Sequence, residues 1–270
     1  MPDILSEHPV SLDSYQAFVL EERAAEAIID GDRWNEDRAD LINKEAKEFM
    51  GQHGPGGVLL VPQIYSDKLS GFTQEYPDIT NDMADELSDL LWYSFDVAVH
   101  NNIDPGAASA HAIEAHTGES QEAPTSFESM QQQIMERADA IKFNVASDSP
   151  YEISVVDSPL QAFAIAHLNL MTALQTNTDS PVTEINAEGS KDVPLDVAIG
   201  EYINILAYIA KDRLNWDVKE IARYSAFKLR QRKKYGKQIG NLFSEFTTQV
   251  IGTDSEGSSD QKIDSQTEAS

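Results

Sequence analysis

The stretch Ala84–Pro105, ADELSDLLWYSFDVAVHNNIDP, decides how this chain is read. Leu87, Leu90, Leu91, Trp92, Phe95, Val97 and Val99 load it with apolar side chains at helical spacing, and the pattern predicts a helix over Thr80–Asn101. The same helix opens on carboxylates. Asp82, Asp85, Glu86 and Asp89 stand at i, i+3, i+4 and i+7, which is one helix face. The macrodipole favours acids in a first turn and accounts for Asp82 and Asp85. Asp89 lies two turns in, beside the apolar run, where that benefit has faded. Like charges at i, i+4 repel by a few tenths of a kcal/mol, so something is expected to hold the acids together.

Working outward, helical patterns dominate. SLDSYQAFVLEERAAEAIID starts at Ser11 as N-cap and stops near Gly31, and NEDRADLINKEAKEFMGQ is a second helix ended by Gly51 and HGPGG. Residues 52–79 read as a long loop with a lid role, and Pro62 argues against a strand in VLLVPQIY. A fourth helix is expected from Pro105 to His116. After the polar linker ESQEAPTS the pattern returns. SFESMQ at Ser126 matches SLDSYQ at Ser11 in residue character, SPLQAFAIAHLNLMTALQ is a further apolar helix, and residues 176–192 read as a polar loop. The stretch from Val193 to Gly236 repeats the long helix, short turn and shorter helix of Met83–Gly118. Ile103-Asp104 and Trp216-Asp217 mark the two turns. Aligning Glu86 with Glu201 sets Asp89 against Asn204 and Tyr93 against Tyr208.

The expected architecture is therefore all-α: tandem four-helix units at 11–118 and 125–240, packed as a pseudo-dimer. Residues 251–270, poor in large apolar side chains, are expected to be a disordered acidic tail. With 46 Asp plus Glu against 20 Lys plus Arg, the formal charge is −26. General nucleic-acid binding, which needs a basic surface, is not expected. The absence of cysteine excludes disulfides, thiolate metal sites and cysteine nucleophiles. No signal peptide is visible and no stretch reaches the ~18 apolar residues of a membrane span. A soluble cytoplasmic protein is expected.

A second acidic pair, Glu45 and Glu48, stands at i, i+3 on the second helix, with Leu41, Ile42, Phe49 and Met50 on an adjoining stripe. Two helices of one unit thus offer Glu45 with Glu48 and Glu86 with Asp89. Brought together in a bundle, they make an all-oxygen site suited to Mg²⁺ or Mn²⁺. The plainer reading of each pair alone is a solvated face, with Lys44 and Lys47 as charge partners.

The first unit resembles the MazG-type all-α nucleoside triphosphate pyrophosphohydrolases. The likeness rests on Glu45-Ala-Lys-Glu48, on Glu86-Leu-Ser-Asp89-Leu-Leu-Trp92-Tyr93, on the opening LDSYQ and on NNIDP. It implies Mg²⁺-dependent cleavage of a nucleoside triphosphate between the α- and β-phosphates, giving a monophosphate and pyrophosphate. Nucleotide-pool house-cleaning is the implied role. It also makes Glu45 and Glu48 the candidate bases, and Glu45, Glu48, Glu86 and Asp89 the candidate metal ligands.

The second unit departs from the pattern. Its second helix, AFAIAHLNLM, carries His167 and Asn169 but no carboxylate, and its third keeps Glu201 but has Asn204 in place of the aspartate. It cannot hold the same metal centre, and His167 reads as a packed core histidine. Its last helix carries KLRQRKKYGK instead. Lys228, Arg230, Arg232 and Lys233 are candidate triphosphate contacts, alongside a helix-dipole explanation for the same charges. Trp92 and Tyr93 are candidates to stack on a base, although aromatics at this spacing are more often core. Trp34, Phe72 and Tyr76 are further candidates for a base pocket. Exposed helical faces are compatible with a homodimer. The rival reading is a non-catalytic helical adaptor built from degenerate repeats.

Overall fold

Amphipathic periodicity of this kind has one low-energy solution, helices that bury their stripes against one another, and that is what forms. The computed structural model describes residues 11–25, 34–51, 77–138, 159–176, 193–235 and 242–247, and among these every regular element is a helix. In chain order they are α1 (Leu12–Ala25), α2 (Trp34–Gly51), α3 (Pro77–His100), α4 (Pro105–Thr117) and α5 (Phe127–Glu136). They continue with α6 (Pro159–Thr176), α7 (Leu195–Leu214), α8 (Val218–Tyr235) and α9 (Leu242–Phe246). The all-α expectation holds. The lid read into residues 52–79 falls outside the described residues up to position 76, as do Phe72 and Tyr76 themselves. From Pro77 the chain is already helical, so α3 begins earlier than the apolar stripe alone indicated. Proline suits a first helical turn because the missing N–H has no intrahelical partner there. The tail at 251–270 also lies outside the described residues.

Residues from Pro9 to Ser225 make one compact unit, and the described residues from Ala226 on belong to a second. In the first, α7 is the central element: α3, α4, α5 and α6 all pack on it. Every residue of α7 from Ala198 to Ala210 is buried, as expected for a helix apolar on all sides. Its largest interface is with α4, whose composition, PGAASAHAIEAHT, explains the closeness. A Cβ on Gly200 would lie 1.9 Å from the Ala108 carbonyl oxygen and 2.9 Å from the Ala112 Cβ. Only glycine permits that approach. In the second unit Phe227 and Phe246 pack ring to ring, their centroids 5.6 Å apart.

Helix starts and stops follow local chemistry. At the entry to α1, the Ser14 amide donates to Ser11 Oγ at 3.1 Å and the Ser11 amide to Ser14 Oγ at 3.0 Å. The entry to α5 repeats this arrangement with Ser126 and Ser129, both bonds at 3.1 Å. These are capping boxes built with serine at both ends. α3 and α7 also stop alike: Asn102 has φ 56° and Asn215 φ 55°, left-handed conformations that asparagine tolerates. Asp104 then caps α4 by accepting from the Ala107 amide at 2.7 Å.

Candidate metal centre

Side chains at 38, 42, 45 and 49 follow the i, i+4, i+7, i+11 stripe of α2, and all four are buried: Arg38, Ile42, Glu45 and Phe49. Glu45 therefore faces inward, its side chain 12% exposed, while Glu48 at the edge of the stripe is 44% exposed. α3 packs on α2 and brings Glu86 to them. One carboxylate oxygen each from Glu45, Glu48 and Glu86 lies within 4.8 Å of the other two. Asp89 does not belong to that group; three of the four expected ligands come together.

Three carboxylate oxygens suit hard divalent cations such as Mg²⁺ or Mn²⁺. Opposite ligands of an octahedral Mg²⁺ stand about 4.2 Å apart, twice the usual bond of ~2.1 Å. At most one pair of the trio can stand opposite, and adjacent ligands stand about 3.0 Å apart, so the three oxygens, each within 4.8 Å of the other two, must draw closer to share one ion. Lys44 already supplies positive charge there: its Nζ is 3.1 Å from Glu45 Oε1 and 3.1 Å from Glu48 Oε1. Hydrogen bonds to Glu48, then to Glu45, hold the Lys44 ammonium above its ordinary pKa. With Lys44 60% exposed, the pairing is worth little in stability.

Asp85, one turn before Asp89 on α3, meets a partner outside the trio. The Tyr224 hydroxyl donates to Asp85 Oδ1. Tyr15 lies against α3 at Phe95, ring centroids 5.0 Å apart and nearly perpendicular. Burial drives the Tyr15 phenol well above its ordinary pKa, against the hydrogen bond with Ser225 that pulls it down and with the Asp89 charge adding to the rise.

Trp92 is 5% exposed and therefore a core residue. The Arg38 guanidinium stands 5.6 Å from the Trp92 ring centroid and 5.7 Å from that of Tyr93, within cation–π range. Arg38 also pairs with Asp96, which is fully buried. That pair escaped sequence reasoning, although a lone aspartate inside LLWYSFDVAV was a signal for a buried partner. His100 at the end of α3 contacts Arg23. Burial first, then the Arg23 and Arg38 charges, push its pKa down to about 4.

The corresponding positions of the second half are used for packing. Glu201, 4% exposed, accepts from Asn169 Nδ2 at 2.8 Å and lies 2.9 Å from His116 Nε2. Asn204 accepts from Ser109 Oγ at 2.6 Å and donates to the Ser109 carbonyl at 3.1 Å. His167 is the packed core histidine expected: 6% exposed, ring stacked on Phe163, with Asn43 Oδ1 at 3.3 Å from Nε2. Of the basic candidates in the last long helix, Lys228 is fully buried, Arg230 and Arg232 are half-buried, and Lys233 is exposed. Among the described residues no helix is long and apolar enough to cross a membrane.

No protein-family model, no curated protein and no solved structure matches this chain.

Proposed function

We propose that the chain is a Mg²⁺-dependent nucleoside triphosphate pyrophosphohydrolase that cuts a triphosphate between its α- and β-phosphates. The observation that carries this reading is the convergence of Glu45, Glu48 and Glu86 from two facing helices. A bound divalent ion would neutralise phosphate charge and polarise the phosphorus under attack. The protein's part is to hold that ion and to take the proton of the attacking water on Glu45 or Glu48. Water oxygen bonds to the α-phosphorus, the bond to the bridging oxygen breaks, and pyrophosphate leaves with the electron pair. The paired serine caps and the matched asparagine helix stops support descent of the two halves from one duplicated unit. In that scheme the second half has lost its acids.

Incubation with a panel of triphosphates and Mg²⁺ tests the activity. The proposal expects pyrophosphate from at least one substrate, and none from Glu48→Gln. Orthophosphate as the first product, or no product from any substrate, contradicts it. One observation favours the rival reading of a non-catalytic helical adaptor: Lys44 bridges Glu45 and Glu48 as it would on a solvated charged face.

A further inference from the structure

Lys44 touches the acidic trio at two points. Its Nζ stands 3.1 Å from Glu45 Oε1 and 3.1 Å from Glu48 Oε1, so one ammonium sits between two of the three carboxylates. The Glu48 contact is the ordinary i, i+4 pairing of a helix surface, in the weaker order with the base N-terminal to the acid. The Glu45 contact is of another kind, because neighbours in sequence do not face each other on a helix. Glu45 points inward on the stripe of Arg38, Ile42 and Phe49, while Lys44 is 60% exposed. The Lys44 side chain therefore folds back over the helix surface to bring its charge to an inward carboxylate. That marks where these acids draw a cation. With most of its side chain in solvent, Lys44 can leave that place without opening the core.

We propose that Lys44 is the resident counter-ion of this site: it neutralises Glu45 and Glu48 until a divalent ion displaces it, and then turns to the phosphate chain that the ion carries. The inference rests on the metal reading above. A divalent ion on the same two carboxylates repels the ammonium beside it, so Lys44 must give way. Mg²⁺ held by one or two carboxylates completes its shell with waters and substrate phosphates. A compact ammonium on a flexible stem is a suitable partner for a phosphate oxygen. Lys44 thus exchanges carboxylate for phosphate when the site fills.

The test uses the full chain, Lys44→Met and Lys47→Met. Lys47, three residues further along α2 and also exposed, carries the same charge and serves as the control. Mn²⁺ binding is followed by electron paramagnetic resonance, and binding of pyrophosphate in saturating Mg²⁺ by calorimetry. The proposal expects Lys44→Met to bind Mn²⁺ about 3-fold more tightly than the wild type, the scale of an exposed ion pair, with a smaller gain in Lys47→Met. It expects pyrophosphate affinity to fall at least ~5-fold in Lys44→Met, as for loss of a charged hydrogen bond. The two effects have opposite sign, which a merely structural role for Lys44 does not produce. Unchanged or weaker Mn²⁺ binding in Lys44→Met overturns the proposal and leaves the metal site standing. So does an equal gain in both lysine variants, which reduces Lys44 to diffuse charge, and so does unchanged pyrophosphate binding. No Mn²⁺ binding by either the wild type or Lys44→Met removes the metal reading and this inference together.

Discussion

Arg38 Nε lies 2.9 Å from Asp96 Oδ2, and both side chains are sealed from solvent, at 3% and 0% exposed. The pair ties α2 to α3 two to three turns from the acidic trio: Arg38 precedes Glu45 by seven residues and Asp96 follows Glu86 by ten. Arg23 of α1 approaches the same carboxylate, its Nε 3.9 Å from Asp96 Oδ1. The geometry of the candidate metal centre therefore depends on an ion pair elsewhere along the same two helices.

Removing one member of a buried pair leaves the other charged and uncompensated, which costs about 3–5 kcal/mol. Asp96→Ala is expected to lose that much in urea unfolding. A loss below ~1 kcal/mol would show that Arg38 finds water or another carboxylate without difficulty.

Gly200→Ala tests the closest helix contact. The added methyl carbon would meet the Ala108 carbonyl oxygen, which is backbone and cannot rotate away. α4 and α7 must separate, and overpacking of this kind costs about 1–3 kcal/mol or more. A lower thermal midpoint is expected. An unchanged midpoint would mean the two helices do not approach this closely.

How much of this was legible in the sequence depends on the range of the interaction. Caps and helix faces are local: Ser11, Ser126 and the apolar stripe of Ile42 and Phe49 could be read from residues close by in the chain. So could the pairing of Glu45 with Glu48. The Arg38–Asp96 pair and the Gly200–Ala108 contact join residues distant in the chain, and no local periodicity encodes them. Asp96 was visible only as an oddity. α9 was not foreseen because Leu242–Phe246 is too short to show a period. Asp89 was grouped with the metal ligands by helix spacing and by the Glu-x-x-Asp pattern of the family resemblance, and the close carboxylate trio is Glu45, Glu48 and Glu86.

The pH dependence follows from His167. Burial first, then the Lys47 charge, depresses its pKa to about 4 from the ordinary 6.5. The folded chain thus binds fewer protons than the unfolded chain between those values, and stability falls as pH drops through that window. Two and a half units correspond to an upper figure on the order of 3 kcal/mol. His100 acts with the same sign. Unfolding free energies of the wild type and His167→Gln, measured from pH 7 to pH 4, should differ in slope, the wild type falling more steeply. Parallel curves would contradict the assignment.

Glu201 separates the two halves by role. Bonded to Asn169 and beside His116, it is expected to matter for stability and not for metal. Glu201→Ala should lower unfolding free energy by about 3 kcal/mol while Mn²⁺ affinity stays within twofold of wild type. A selective loss of Mn²⁺ binding would place a metal in the second half.

The central claim is that Glu45, Glu48 and Glu86 share a divalent cation. Calorimetric titration of Mg²⁺ and Mn²⁺ into the wild type and into Glu86→Gln addresses it most directly. Saturable binding by the wild type, weakened at least ~100-fold in Glu86→Gln, is the predicted result. Heats indistinguishable between the two proteins would mean that the three carboxylates, close as they are, hold no metal.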